Sequence, residues 1–203
     1  MQISYAIPVC NEHAELEKLL SFLAKHIDKN DEIIVQCDQG NTTPEVYKVL
    51  YDLQQSYTEF PLNGHFSNFK NNLKELCSGD WIFQIDADEI PNEILITNLS
   101  DILEANSMDV ILVPRVNTVD GLTDSHIQKW GWKVDEKGWV NWPDPQWRLY
   151  KNSDNIRWIN KVHEKLDGYQ TMSNLPWDEG LALYHHKNIA KQEKQNEYYD
   201  TLV

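Results

Sequence analysis

Gly79-Asp80-Trp81-Ile82-Phe83-Gln84-Ile85-Asp86-Ala87-Asp88-Glu89-Ile90-Pro91 is the stretch around which the chain is organised. A turn signal precedes a short apolar run, three carboxylates follow within four positions, and a proline closes the segment. Residues 81–85 are too few for a helix and rich in strand formers, which predicts a buried strand. A buried strand that ends in clustered carboxylates puts negative charge where an open α/β sheet has its crevice. Side chains alternate along a strand, so Asp86 and Asp88 are expected to share a face while Ala87 points back. Two carboxylates aimed at one spot repel each other unless a cation lies between them. Hard divalent cations such as Mg²⁺ and Mn²⁺ take oxygen ligands and share them with substrate phosphates. The segment therefore points to a metal–phosphate site. The alternative is that Asp80, Asp86, Asp88 and Glu89 form a solvated loop after a strand.

The flanking segments supply the rest of the sheet. Residues 3–9 are a short apolar run containing Pro8, which predicts a strand, and Cys10-Asn11-Glu12 is the loop beyond it. Leu16, Leu19, Leu20, Leu23 and Ile27 recur at helical spacing with Glu and Lys opposite. Ile33-Ile34-Val35-Gln36-Cys37 predicts a second strand that ends at Asp38-Gln39-Gly40-Asn41. Thr43-Pro44 reads as an N-cap and first helical residue, with Val46, Val49, Leu50 and Leu53 as the apolar face. Residues 57–60 predict a short third strand. Phe66, Phe69, Leu73 and Leu76 predict a helix running into the Gly79 turn. A helix within 93–104 and a strand over 109–116 follow. This alternation predicts an α/β fold, Rossmann-like, with a mostly parallel sheet and helices on both faces.

Beyond Arg115 the pattern breaks. Residues 117–147 have no clear period but hold Trp130, Trp132, Trp139, Trp142 and Trp147. Long irregular segments in compact domains are often functional. Aromatic faces stack on sugar rings, so an acceptor site is one reading; a small second core over the sheet is the other. Residues 147–151 and 156–159 read as a pair of strands about a turn at 152–155. Residues 181–187 read as a late strand, and residues 189–203 as a polar helix with Tyr198 and Tyr199.

A length of 203 residues suits a single domain with a sizeable core. The net charge of −14 argues against a nucleic-acid or anionic-membrane partner, because no basic surface is available to release counterions. An acidic chain that binds a diphosphate needs a cation, and the paired aspartates offer a place for one. Cys10, Cys37 and Cys77 are odd in number and widely spaced. They are expected to be reduced, buried and apolar in a cytoplasmic protein. The N-terminus runs into a strand with no basic, apolar leader, so no signal peptide is expected. No stretch approaches the roughly 20 apolar residues of a membrane helix.

With these segments in order, the chain resembles the family 2 glycosyltransferases, which have the GT-A fold. It is most similar to small members that carry Asp-Ala-Asp-Glu and end in a His-containing strand. Ile7-Pro8-Val9-Cys10-Asn11-Glu12 resembles the family's opening strand and loop, and Val35-Gln36-Cys37-Asp38-Gln39-Gly40-Asn41-Thr42 its second strand. Phe69-Lys70-Asn71, Gly79-Asp80-Trp81 and Asp86-Ala87-Asp88-Glu89 resemble the donor-site core. Arg148-Leu149-Tyr150 and Val162-His163-Glu164 resemble the late acceptor-side motifs. The likeness spans about residues 3–200; each motif is weak alone and the set is specific. The chain departs from the family at Lys70, where arginine is usual and gives a bidentate fork. It departs again at Gln39, where a second acidic residue is common, and over 117–147.

The resemblance implies an inverting, metal-dependent transfer of a sugar from a UDP- or GDP-sugar donor to a glycan or other hydroxyl acceptor, in glycan or lipopolysaccharide-type synthesis. Mn²⁺ or Mg²⁺ would be the cofactor. Residues 1–115 would be the donor half and 116–203 the acceptor half. Pro8, Asn11 or Glu12, and Asp38 would hold the base and ribose; turn geometry at Pro8 and a cap at Asp38 are the structural readings. Lys70 and Asn71 would serve the diphosphate. Asp86, with Ala87, would touch the ribose or a metal-bound water. Asp88 would ligate the metal, and His185 would be a second ligand, unless His185 and His186 are a surface pair. Glu164 would be the base, its pKa raised in a partly desolvated site. Glu89 and Asp144 are alternative bases, and a salt bridge of Glu164 to Lys161 or Lys165 is the structural reading. Arg148 would hold acceptor or phosphate charge, or form a structural ion pair.

Two other classes stay open. A nucleotidyltransferase would show a Gly-rich basic loop where Cys10-Asn11-Glu12-His13 stands, and a phosphatase of the aspartyl-phosphate type carries its Asp-x-Asp after the first strand. A non-catalytic sugar-binding module of the same fold is the last alternative.

Overall fold

The expected alternation is present in the computed structural model, which describes residues 1–201 apart from the side chains of residues 199 and 200. β1 (Ile3–Val9), α1 (His13–His26), β2 (Glu32–Asp38), α2 (Pro44–Asp52), β3 (Tyr57–Phe60), α3 (Phe66–Glu75) and β4 (Trp81–Gln84) follow one another. α1 buries Leu16, Leu19, Leu20 and Leu23, which share one face at helical spacing, and stops at His26 with Ile27 as its cap. Gly79 admits the chain to β4: a Cβ there would sit 2.8 Å from the Ser4 backbone nitrogen and 2.9 Å from the Gln2 carbonyl oxygen. Only glycine allows so close a pass.

The next elements are β5 (Glu89–Pro91), α4 (Glu93–Thr97), α5 (Leu99–Glu104), β6 (Val110–Val113), β7 (Arg115–Asp120) and α6 (Asp124–Trp130). Two expectations are corrected here. The helix within 93–104 is two helices divided at Asn98, whose side chain donates to the Ile94 carbonyl alongside its own backbone N–H. The strand over 109–116 is two strands in different sheets, broken at Pro114, which has no N–H to donate to a ladder.

β8 (Gln146–Lys151), β9 (Arg157–Ile159), β10 (Lys165–Asp167), β11 (Met172–Asn174), a 3₁₀ turn (Glu179–Leu181), β12 (Leu183–Asn188) and α7 (Ile189–Asp200) complete the chain. β8 does not pair with β9, as the sequence suggested. It lies between β4 and β6, antiparallel to both, and β9 pairs with β10 instead. Arg148, Leu149 and Tyr150 are all buried, so β8 is covered on both faces and belongs inside a sheet rather than at the rim of a hairpin. The late strand begins at Leu183, two residues after the expected start, because Leu181 belongs to the 3₁₀ turn. The Tyr199 side chain and residues 202 and 203 lie outside the described residues.

The main sheet has the order β11-β6-β8-β4-β1-β2-β3, parallel except for β8. One face is covered by α1, α2, α4 and α5 over the large core of Tyr5, Ile7, Leu16, Leu19, Phe83, Ile85 and Leu95. The other carries Leu73 of α3, Ile82, Tyr150, Trp158 and Leu166. β1 has β2 on one side and β4 on the other, so chain direction across the sheet reverses between β1 and β4. The carboxyl ends beside such a switch point form a crevice. A second sheet, β5-β12-β7, stands over that crevice. Its register sets His185 opposite both Glu89 and Asn117. No helix among the described residues is long and apolar enough to cross a membrane.

Candidate active site

Beyond the ends of β1, β2 and β4 lies a cleft of about 500 Å³. Pro8, Glu12, Asp38, Lys70, Asp86, Ala87, Asp88, Arg148, Glu164 and His185 all line it, although they come from seven separate stretches of sequence. Asn11 and Asn71 are not among its lining. Asn71 instead accepts from the Trp158 N–H at 2.9 Å and donates to the Trp158 carbonyl at 2.8 Å, tying α3 to β9.

The acidic motif differs from the expected strand. β4 ends at Gln84, and the Glu89 N–H donates to the Asp86 carbonyl at 2.9 Å, so residues 86–89 form a turn. Asp86 and Asp88 therefore part company instead of sharing a strand face. Asp86 accepts from Arg148 Nη2 at 2.5 Å and lies 3.9 Å from Lys70 Nζ. Asp88 Oδ2 lies 3.4 Å from His185 Nε2 and 3.2 Å from Lys191 Nζ. Each aspartate has its own cationic side chain, so the repulsion inferred from their spacing is relieved within the protein. The solvated-loop alternative fails at Asp88, 14% exposed, and at Glu89, fully buried; Asp86 is 32% exposed and Asp80 is exposed.

Glu89 is the hub of the site. Arg148 grips it with Nε at 2.9 Å and Nη2 at 2.7 Å, a two-pronged contact that suits a guanidinium. Arg115 Nη1 donates to it at 2.8 Å. Each arginine then reaches a cleft carboxylate, Arg148 to Asp86 and Arg115 to Asp144. Burial would push the Glu89 carboxyl up, but the two guanidinium groups outweigh it and hold it below the ordinary range.

Removing that carboxylate takes from two buried cations the anion they share, leaving Arg148 only Asp86 and Arg115 only Asp144. Glu89→Ala is expected to cost about 3–5 kcal/mol in chemical denaturation and to lower the melting temperature by about 10 °C. Because the folded-state pKa is depressed, this stabilisation is fully present above the unfolded value of 4.5 and is lost as pH falls below it. The variant should therefore show a flatter stability profile through that acid range. An unchanged profile and melting temperature would overturn the hub role.

The tautomer of His185 follows from its neighbours. Asn117 Nδ2 donates to Asp144 at 2.6 Å, which turns its Oδ1 toward His185 Nδ1 at 2.8 Å. That oxygen can only accept, so Nδ1 carries the proton. Burial lowers the His185 pKa and outweighs Asp88, so the net shift favours the neutral ring. Its Nε2 lone pair then faces an Asp88 oxygen, acceptor against acceptor. For Asp88, burial raises the pKa and its neighbours lower it further, well below the ordinary carboxylate range. His185 is the first of those neighbours, followed by Lys187 and Lys191. Two acceptors facing each other in a buried place fit a divalent cation between them, with imidazole and carboxylate as ligands. Among the described residues no three His, Cys, Asp or Glu side chains converge on one point.

On the opposite wall Lys70 Nζ meets Glu164 Oε1 at 2.5 Å and lies 4.6 Å from the centroid of the Trp158 ring. The salt-bridge partner of Glu164 is thus Lys70, not Lys161 or Lys165. Burial pushes the Glu164 carboxyl up, as expected from sequence, but the Lys70 charge and hydrogen bond outweigh it, and the net shift is downward. Asp38 is nearly buried; Oδ1 accepts from the Leu62 N–H at 2.9 Å and Oδ2 from Asn41 at 3.0 Å. Glu12 accepts from the Cys10 and Asn11 N–H groups at 3.1 and 3.0 Å. The cysteines are unbridged, but only Cys37 is buried; Cys10 lines the cleft.

None of the five tryptophans between 130 and 147 is fully buried. Trp130 packs on Trp132 with centroids 4.7 Å apart, and Trp139 on Trp142 at 5.0 Å. Trp132 and Trp147 line the cleft. Sequence reasoning missed Arg115, Asn117, Lys187 and Lys191. The alternation of His185 and Lys187 along one strand was the available signal for Lys187.

Residues 4–174 match the family model described as Glycosyl transferase family 2. The chain belongs to this family. The SPbeta prophage-derived glycosyltransferase SunS of Bacillus subtilis is 22% identical over 204 residues, covering 96% of this chain and 43% of that protein. The glycosyltransferase SunS of Bacillus phage SPbeta matches equally. This chain therefore spans less than half the length of these curated relatives. Among solved structures, S. aureus TarS residues 1–349 in complex with UDP-GlcNAc superposes with a TM-score of 0.66 at 15% identity, over 92% of this chain and 59% of that one. The complex of the same protein with UDP gives 0.65. The shared architecture is the GT-A fold.

Proposed function

We propose that this family 2 glycosyltransferase moves a sugar from a nucleoside-diphosphate donor, a UDP-sugar first and a GDP-sugar second, to an acceptor hydroxyl with inversion, in a reaction that uses Mn²⁺ or Mg²⁺. The observation that carries the reading is the Asp88–His185 acceptor pair at the mouth of the β1–β4 crevice. A hard cation held by one or two protein ligands completes its shell with water and substrate phosphates. Bound between Asp88 and His185, it would act as Lewis acid for the departing diphosphate.

This chain's residues then divide the remaining work. Pro8, Glu12 and Asp38 at the ends of β1 and β2 hold the nucleoside, with Asn11 shaping their loop. Asp86 and Ala87 border the ribose, and Arg148 fixes Asp86 in place. Lys70 serves the diphosphate, and Asn71 secures the helix that carries it. Glu164 is the base that takes the acceptor proton. Glu89 has no open face and Asp144 is held by Arg115, Asn117 and Gln146, whereas Glu164 has one lysine that can turn away. Trp132 and Trp147, both half-buried, line the cleft and are suited to a sugar acceptor. In this reading residues 1–115 contribute most of the donor side and 116–203 most of the acceptor side. A reaction in glycan or lipopolysaccharide-type synthesis, in the cytoplasm, is the setting proposed.

A thermal-shift panel of UDP, GDP and their sugars, with and without Mn²⁺, tests this. Ligand at a hundred times its Kd stabilises by about 2.7 kcal/mol, an upward shift of roughly 5–10 °C for a chain of this size. The uridine series should shift the melting point with metal and leave it nearly unchanged without. Equal shifts with and without metal would sink the metal-bridged reading.

A further inference from the structure

Lys191 enters the cleft region from the first turn of α7, a helix whose start is capped by Asn188 Oδ1 accepting from the Lys191 N–H at 2.8 Å. Its ammonium lies 3.2 Å from Asp88 Oδ2, the same oxygen that faces His185 Nε2. A divalent cation bonded to that oxygen at about 2.1 Å would lie no more than about 5 Å from the ammonium, itself 3.2 Å from the oxygen. Two cations so close, in a place where Asp88 is 14% exposed, repel with little screening. The side chain has another seat: Glu15 Oε1 of α1 is 3.7 Å away. Lys187, by contrast, is buried and held by Gln195 at 2.5 Å. Lys191 is half-buried, on a flexible stem, and has anions on two sides.

We propose that Lys191 is a built-in counter-ion of the metal site. It holds Asp88 before a divalent cation arrives, is displaced from that carboxylate by the cation, and then turns onto the diphosphate of the donor. The inference rests on the metal-bridged reading above. It adds a residue that reading did not contain, and it involves α7 in donor binding. The helix carries a positive charge that penalises metal alone and favours metal together with diphosphate. Metal and nucleotide then bind cooperatively, because the second ligand offers the displaced ammonium a new anion.

The test separates the two ideas. Free Mn²⁺ is titrated by electron paramagnetic resonance against the wild type, Lys191→Met, Lys191→Arg and Asp88→Asn, without nucleotide and at low ionic strength. UDP affinity is then measured at saturating Mn²⁺. Lys191→Met should bind Mn²⁺ about tenfold more tightly than the wild type, since one competing charge is gone, and should bind UDP with metal about tenfold more weakly. Lys191→Arg, which keeps the charge, should stay close to the wild type in Mn²⁺ affinity. Unchanged or weaker Mn²⁺ binding in Lys191→Met, with binding still abolished by Asp88→Asn, would overturn the counter-ion role and leave the metal site standing. Mn²⁺ binding that is the same in the wild type and Asp88→Asn would overturn both.

Discussion

Asp88→Asn is expected to lower sugar transfer by about a thousandfold, a loss of roughly 4 kcal/mol in transition-state stabilisation. The amide keeps the shape of the side chain but removes the negative charge that His185, Lys187 and Lys191 surround. A cation placed there would keep the imidazole and lose its carboxylate, and the leaving diphosphate would depart without its Lewis acid. The fold should survive, since Asp88 anchors no backbone N–H in the cleft turn; the Glu89 N–H goes to the Asp86 carbonyl. Steady-state kinetics with a UDP-sugar, together with the melting shift produced by UDP and Mn²⁺, check this. Turnover within tenfold of the wild type and an intact metal-dependent shift would remove Asp88 from the mechanism.

Glu164→Gln should reduce kcat by about a thousandfold, within the usual contribution of a positioned general base, while UDP affinity changes little. The pH profile carries the sharper expectation. Lys70 holds the Glu164 carboxyl below its ordinary range. The acid limb of kcat/KM, which reports the free enzyme, should therefore lie below that range. When Lys70 turns to the diphosphate, burial acts on Glu164 without its counter-ion, and burial raises a carboxyl pKa. The acid limb of kcat, which reports the bound complex, should then lie higher than that of kcat/KM. Glu164→Gln should abolish the acid limb in both. A variant that keeps the limb and most of the rate would assign the base elsewhere, with Asp144 next in line.

The sequence carried a good deal of this arrangement. Helical periodicity predicted α1, α2 and α3, and short apolar runs predicted β1 and β2, because each helix buries one face and each inner strand is an apolar run buried along most of its length. Residues 57–60 were read as β3 although that strand is mostly exposed. The run from Gly79 to the carboxylates predicted β4 and the cleft at its end for the same reason. Where local breakers act against the longer pattern, the reading fell short. One expected element is divided at Asn98 and another at Pro114, and Pro114 sent its two halves into different sheets. Strand partners were also out of reach. β8 inserts between β4 and β6 because its residues are buried on both faces, which no neighbouring turn signal encodes.

By itself, then, the sequence determined the parallel α/β layering, the cleft beyond β4 and the residue types gathered there, since burial periodicity and motif chemistry are properties of short stretches. Only the tertiary structure decided which charges meet. Lys70 rather than a neighbouring lysine takes Glu164, and Glu89 binds two arginines from distant strands. Lys191 arrives at Asp88 from 103 positions away. Electrostatic energy depends on distance in space, and that distance is set by the sheet order and the packing of α7, not by separation along the chain.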